Sequence, residues 1–211
     1  MSGLAAAREL RAHGCTVTVL EGRKRTGGRV WTNHDLGFPI DMGANWIQGT
    51  DGNPLTQSAD HSSVQVHQTD TESVRLWGPD GELVPDDDVE EAFEEFEDLA
   101  GALEEVAYEL DSDETIAEHT VAILSRMLGE QVPDPVDGIV SRWASDPFAG
   151  GSYSFIPVGA SPSDFDALAA PVGERLLFAG EATIKEYYAT VHGAYLSGLR
   201  EARRINRLTP R

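Results

Sequence analysis

Hydrophobic and polar positions follow three different rhythms along the chain. The alanine-rich stretch from Leu4 to Ala12 predicts a helix that can pack closely, with Gly14 ending it. "TVTVL" (Thr16–Leu20) is β-branched and almost continuously apolar, which predicts a short parallel strand covered on both faces. "RVWTNHDLGFPIDMGANWI" predicts two strands around a turn at Asp35–Gly37, and "SVRLWGPDGELV" a hairpin turning at Pro79-Asp80-Gly81. From Val89 to Leu110 the period becomes helical, with Ala92, Phe96, Leu99, Leu103, Val106 and Leu110 at alternating spacings of four and three. Glu and Asp fill the remaining positions; they read first as the solvated face of an amphipathic helix, second as an acidic binding surface. Asp111 to Glu118 is polar, "TVAILSRMLG" predicts a short helix, and "VPDPVDG" a loop. In the last third, "RLLFAGE" (Arg175–Glu181) predicts a buried strand. "TVHGAYLSGLREARRI" (Thr190–Ile205) predicts a helix with Gly193, Ala194 and Gly198 on its early turns.

Length and composition narrow the picture. A chain of 211 residues makes one domain, or one and a small appendage. No apolar run reaches the length of a membrane span, and the N-terminus lacks the basic-then-apolar pattern of a signal peptide. Cys15 is the single cysteine, which points to a small buried residue and a reducing, cytoplasmic setting. The formal charge of −20 repels nucleic acid and anionic membrane, so neither is an expected partner. Only Lys24 and Lys185 are lysines among sixteen basic residues, and such acid-rich, lysine-poor composition suits a halophilic cytoplasm where salt screens self-repulsion. The histidines show no metal-ligand spacing, so no metal site is expected.

The chemistry sits at the two ends. A dinucleotide site needs a glycine turn, a helix whose N-terminus faces the pyrophosphate, and an acidic residue after the second strand to hold ribose hydroxyls. Gly3, the first helix and Glu21 stand in that order. In "GRKRTGGRV", Gly27 and Gly28 allow close backbone approach, and Arg23 and Arg29 can neutralise phosphate.

"GLAAARELRAHGCTVTVLEGRKRTGGRVWT", "DMGANWIQG", "SRWASDPFAGGSYSF" and "FAGEATIKEYYATVHGAYLSGLREARRI" together resemble the flavin-dependent amine oxidase family, in its polyamine oxidase and lysine-specific histone demethylase branch. The resemblance covers roughly residues 1–60 and 120–211. It implies an α/β fold: a Rossmann-like FAD-binding domain from 1–70 plus 141–211, and a reduced α+β remnant of the substrate domain over 71–140. It further implies FAD as cofactor and a small-molecule amine as substrate, oxidised to an imine with oxygen as acceptor. Ser2 and Gly3 would belong to the phosphate loop, Glu21 would hold the adenosine ribose, and Arg23 and Arg29 would lie by the pyrophosphate. Ala44 and Asn45 would pass beside the flavin, and Gly180 and Glu181 would reach the ribityl-phosphate region. Thr190 and Val191 would meet the isoalloxazine, with Trp143, Tyr153 and Tyr188 shaping the amine pocket. His192 would be structural or orienting.

The chain also departs from the family's pattern. The first strand and first two glycines of the phosphate loop are missing, as are most of the substrate-binding region and the lysine that engages a water near the flavin; the join falls around Asp111–Thr120. Neither Lys24 nor Lys185 lies in a matching motif, so no catalytic residue is assigned. A second expectation is therefore a non-catalytic remnant that binds FAD weakly or pairs with a partner chain through an open sheet position. A carotenoid desaturase or protoporphyrinogen oxidase would share the N-terminal signature, but "GSYSF" and "ATVHGA" argue against it.

Overall fold

The structure, a computed structural model, describes residues 1–70, 75, 82, 83, 85 and 112–208. The hairpin expected at Pro79–Gly81 and the helix expected from Val89 to Leu110 lie outside the described residues. The chain divides into two compact units, 1–65 with 147–211, and 66–146.

The first unit is organised by two helices, α1 (Ser2–Ala12) and, at the far end of the chain, the long helix Val191–Leu208. The two pack along a stripe of small residues in which Ala5, Ser197, Gly198 and Ala202 are buried. A Cβ on Gly198 would lie 2.2 Å from the Ser2 carbonyl oxygen, so glycine is what lets the backbones approach this closely. The rim of the contact is polar: Arg8 donates to the Tyr195 hydroxyl, and Arg203 lies 3.9 Å from Glu9. Glu201 is buried between Arg200 and Arg204, the latter 3.3 Å away.

A short hairpin carries the glycine turn. β1 (Thr32–Asn33) and β2 (Ile40–Asp41) pair antiparallel with Thr32 opposite Asp41 and Asn33 opposite Ile40. This is the expected pair of strands around Asp35–Gly37, with Gly37 at φ +84°. Asn33 is buried because its side chain closes the turn, donating to Asp35 at 2.9 Å and accepting the Asp35 amide at 2.7 Å. Two further backbone bonds continue the pairing inward, Met42 to Trp31 at 2.8 Å and Ala44 to Arg29 at 3.1 Å. α2 (Pro54–His61) follows, capped by the Asn53 side chain, which accepts the Leu55 amide at 2.9 Å.

In the second unit, α3 (Asp113–Leu128) begins earlier than the apolar pattern predicts. Ser112 accepts the Thr115 amide at 3.1 Å, and Asp113 and Glu114 occupy the first turn, where acidic side chains favour the helix dipole. The polar stretch 112–118 is thus a helix start and not a linker, and Gly129 ends the helix at φ +66°. The chain re-enters the first unit at Pro147, where α4 (Ser163–Leu168) and then α5, the helix Val191–Leu208, follow.

The expected parallel sheet is not formed among the described residues. Among the described residues the one named sheet is the two-stranded β1–β2 pair, and the fold is mostly helical. Thr16–Leu20 carries no strand and no backbone bond to another described segment, and Leu20 is 91% exposed. A β-branched sequence sets a preference for extended backbone, but a strand exists only through a ladder partner. Arg175–Glu181 also lacks a ladder, because its polar groups are taken by other partners. Leu176 forms an isolated bridge to Val172, Arg200 donates to the Phe178 carbonyl at 3.1 Å, Ser2 to the Ala179 carbonyl at 3.2 Å, and the Gly180 amide donates to Ser197 at 3.0 Å. Glu181 itself starts a 3₁₀ turn, Glu181–Thr183.

Candidate functional site

A cavity of about 240 Å³ lies in the first unit where several segments meet. Met1 and Ser2 bring the N-terminus of α1 to it, and Thr190 and Val191 the N-terminus of α5. Arg23, Gly27, Gly28, Arg29 and Val30 supply one wall, and Phe148, Ala149, Ser152 and Tyr153 another. Ala44, Gly180, Glu181, Ala189 and Ala194 complete it.

Each wall has a local cause. In the glycine turn, Gly27 sits at φ +102° and a Cβ there would lie 2.3 Å from the Val30 carbonyl oxygen, so the close turn requires glycine. Arg25 braces the turn by donating to the Gly28 carbonyl at 2.7 Å and resting 4.4 Å over the Trp31 ring. Arg23 lies 5.2 Å over the Phe148 ring. Arg29 spans the site: Nη1 donates to the Ser152 carbonyl at 2.8 Å and Nη2 to Glu181 Oε1 at 3.0 Å. Glu181 is 7% exposed, and its second oxygen accepts the Ser154 hydroxyl and the Ala189 amide, the latter at 2.8 Å. The buried carboxylate is thereby matched by one cation and two donors, which is what burying a charge demands.

Two helix N-termini therefore open on one cavity, with Arg23 and Arg29 beside them. Thr190 caps α5 by accepting the Gly193 amide at 3.0 Å, which leaves the amides of Val191 and His192 without an intrahelical acceptor. The partial positive charge of these helix ends favours an anion. In a chain of net charge −20, this is a local inversion of sign.

The structure brings together Ser2, Arg23, Gly27, Gly28, Arg29, Ala44, Tyr153, Gly180, Glu181, Thr190 and Val191 around the cavity. Gly3, Glu21, Asn45 and Tyr188 do not line it. Glu21 is exposed and accepts the Arg23 amide at 2.9 Å, and Tyr188 stacks on Phe165 with ring centroids 5.0 Å apart. Trp143 is buried within the other unit. His192 is buried with its ring tilted on Tyr187, centroids 4.8 Å apart, and burial holds its pKa below the ordinary value. Lys185 is an exposed cation bonded to Asp166 at 2.7 Å, and this carboxylate raises its pKa. Among the described residues there is no cluster of metal-ligating side chains. Sequence reasoning missed Phe148, Ser152, Ser154 and Ala189 as site residues. The first three stand in a segment whose pattern was legible but whose contacts are long-range. Nothing marks Ala189, because its left-handed backbone, φ +59°, occurs where a glycine would have been the signal.

A glycine turn, two arginines and two helix N-termini surround one cavity, an arrangement that favours an anionic group. The family described as flavin containing amine oxidoreductase matches residues 1–110 and 100–206, and the chain belongs to that family. Its similarity runs to the lysine-specific histone demethylase branch. It is 51% identical over 105 residues to "Possible lysine-specific histone demethylase 1" of Drosophila melanogaster, covering 44% of this chain and 12% of the relative. It is 57% identical over 77 residues to "Lysine-specific histone demethylase 1 homolog 2" of Arabidopsis thaliana, covering 36% and 10%. With "Histone demethylase-like protein A" of Aspergillus fumigatus it shares 53% identity over 92 residues, covering 44% and 8%. The matched stretch spans only about a tenth of the length of these relatives. Membership of the family implies a flavin cofactor and a Rossmann-type flavin-binding fold.

Proposed function

We propose that the first unit binds FAD in the cavity between α1, the glycine turn and α5, in the service of amine oxidation. The observation that carries this reading is the convergence of two helix N-termini with Arg23 and Arg29 on one cavity, in a chain otherwise strongly acidic. The cavity, about 240 Å³, falls below the roughly 300–1,000 Å³ of drug-sized ligand pockets, so it fits one end of a dinucleotide rather than the whole. The residues suit such a group: Ser2, Gly27, Gly28 and the two arginines for phosphate, and Ala44, Thr190 and Val191 for a flat ring. When bound, FAD supplies the acceptor for a hydride equivalent from the carbon next to an amine. The amides at the start of α5 stabilise negative charge at the cavity. Arg29 fixes the glycine turn against Glu181 and the Ser152 backbone, and Tyr153 adds an aromatic face. The substrate is an amine.

A second reading, a flavin-binding piece that completes its sheet with another chain, is favoured by Thr16–Leu20, which has no ladder partner among the described residues and exposes Val19 and Leu20. One experiment separates the two. FAD-loaded protein is mixed without oxygen with spermine or with a peptide bearing dimethyl-lysine, and the flavin absorption band is followed. Loss of the band supports amine oxidation; a stable band with bound FAD refutes oxidation of these amines and favours the second reading.

A further inference from the structure

We propose that Ser154 is a positioning residue that acts through Glu181 to hold the N-terminus of α5 at the cavity. Ala189 carries the turn into α5 at φ +59°, a left-handed conformation that costs an alanine free energy and persists only where its surroundings hold it. What holds it is its own amide, which donates to Glu181 Oε2 at 2.8 Å. The Ser154 hydroxyl donates to that same oxygen, while Arg29 engages the other at 3.0 Å. A glutamate's terminal torsion is broad and soft, so the carboxylate plane is set by its partners. Ser154 turns Oε2 toward Ala189. The next two residues, Thr190 and Val191, line the cavity, and a Cβ at Gly193 would lie 1.9 Å from the Tyr187 carbonyl oxygen. The start of α5 is therefore packed against a turn that has little room to relax. Ser154 does not line the cavity, so its effect on a ligand is indirect.

The test measures amide exchange in flavin-free protein and FAD affinity by fluorescence quenching; the affinity arm rests on the FAD reading above. Losing a hydrogen bond to a charged group corresponds to about a tenfold to hundredfold change in an equilibrium. Ser154→Ala is expected to speed exchange at Ala189 by about tenfold or more while Leu199 and Ala202, deeper in α5, keep their protection. FAD affinity is expected to fall by about tenfold, and Ser154→Thr, which keeps the hydroxyl, to restore both. If Ser154→Ala does not fold, the near-isosteric Ser154→Cys, with its weaker donor, gives the same comparison. Unchanged exchange at Ala189 overturns the proposal, and so does an equal rise at Leu199 and Ala202, which marks general loosening. Absence of FAD binding by the parent chain counts against the cofactor reading alone, and the exchange arm still decides the relay.

Discussion

Gly198→Ala probes the contact on which the first unit depends. The added Cβ would stand 2.2 Å from the Ser2 carbonyl oxygen, 3.0 Å from its carbonyl carbon and 3.1 Å from the Ala5 Cβ. Two of these neighbours are backbone, so they cannot swing aside as a flexible side chain would. Restoring an ordinary contact moves the start of α1 by about 1 Å, and overpacking of this kind costs about 1–3 kcal/mol. Against it stands a gain of about 1 kcal/mol from replacing a mid-helix glycine. A net loss of up to about 2 kcal/mol lowers the melting temperature of a chain this size by up to roughly 4–8 °C. Gly3→Ala is the control: it is helical too, but nothing lies within 4 Å of its Cβ, so it is expected to stabilise the flavin-free protein by about 0.5–1 kcal/mol. Thermal melts followed by circular dichroism read both variants. Equal stabilisation by the two alanines would refute the close α1–α5 packing. Because Ser2 lines the cavity, Gly198→Ala is also expected to weaken FAD binding.

Further variants probe other parts of the site. Arg29→Ala leaves the buried Glu181 without its cation; as Arg29 is about one-third exposed, solvent screening moderates the loss to roughly 1–3 kcal/mol, readable as a lower urea midpoint. Ala189→Gly relieves a left-handed alanine worth about 1–2 kcal/mol and gives back part of it in unfolded-chain entropy, so a gain of about 0.5–1 kcal/mol is expected in the same assay. Burial lowers the pKa of His192 from its ordinary 6.5, so the unfolded chain takes up the proton first as pH falls. The stability His192 contributes is therefore complete above pH 6.5 and declines below it as pH falls toward the folded-state pKa; urea midpoints from pH 7.5 to 5.5 should fall less in His192→Gln than in the parent chain.

What was legible in the sequence was local chemistry. Alanine spacing foretells α1, the Asp35–Gly37 turn foretells its hairpin, and glycines and arginines mark the wall of the cavity. Strands were a different matter. The apolar β-branched run Thr16–Leu20 expresses a preference that only a neighbouring ladder can satisfy, and no described segment supplies one. In Arg175–Glu181 the side chains of Ser2, Ser197 and Arg200 take backbone groups at 178–180 that a strand would use. The polar start of α3 was hidden because an apolar period misses a first turn built from a serine cap and two acids. The Glu181 network was out of reach for another reason: it joins residues 29, 154, 181 and 189, and only the fold reveals that they converge.

The most direct measurement is the visible absorption spectrum of the protein purified with added FAD and then freed of unbound cofactor. Oxidised-flavin bands retained at one FAD per chain, and lost in Arg29→Ala, are the predicted result. A colourless protein, or flavin held equally well without Arg29, would contradict the claim that this cavity is the flavin site.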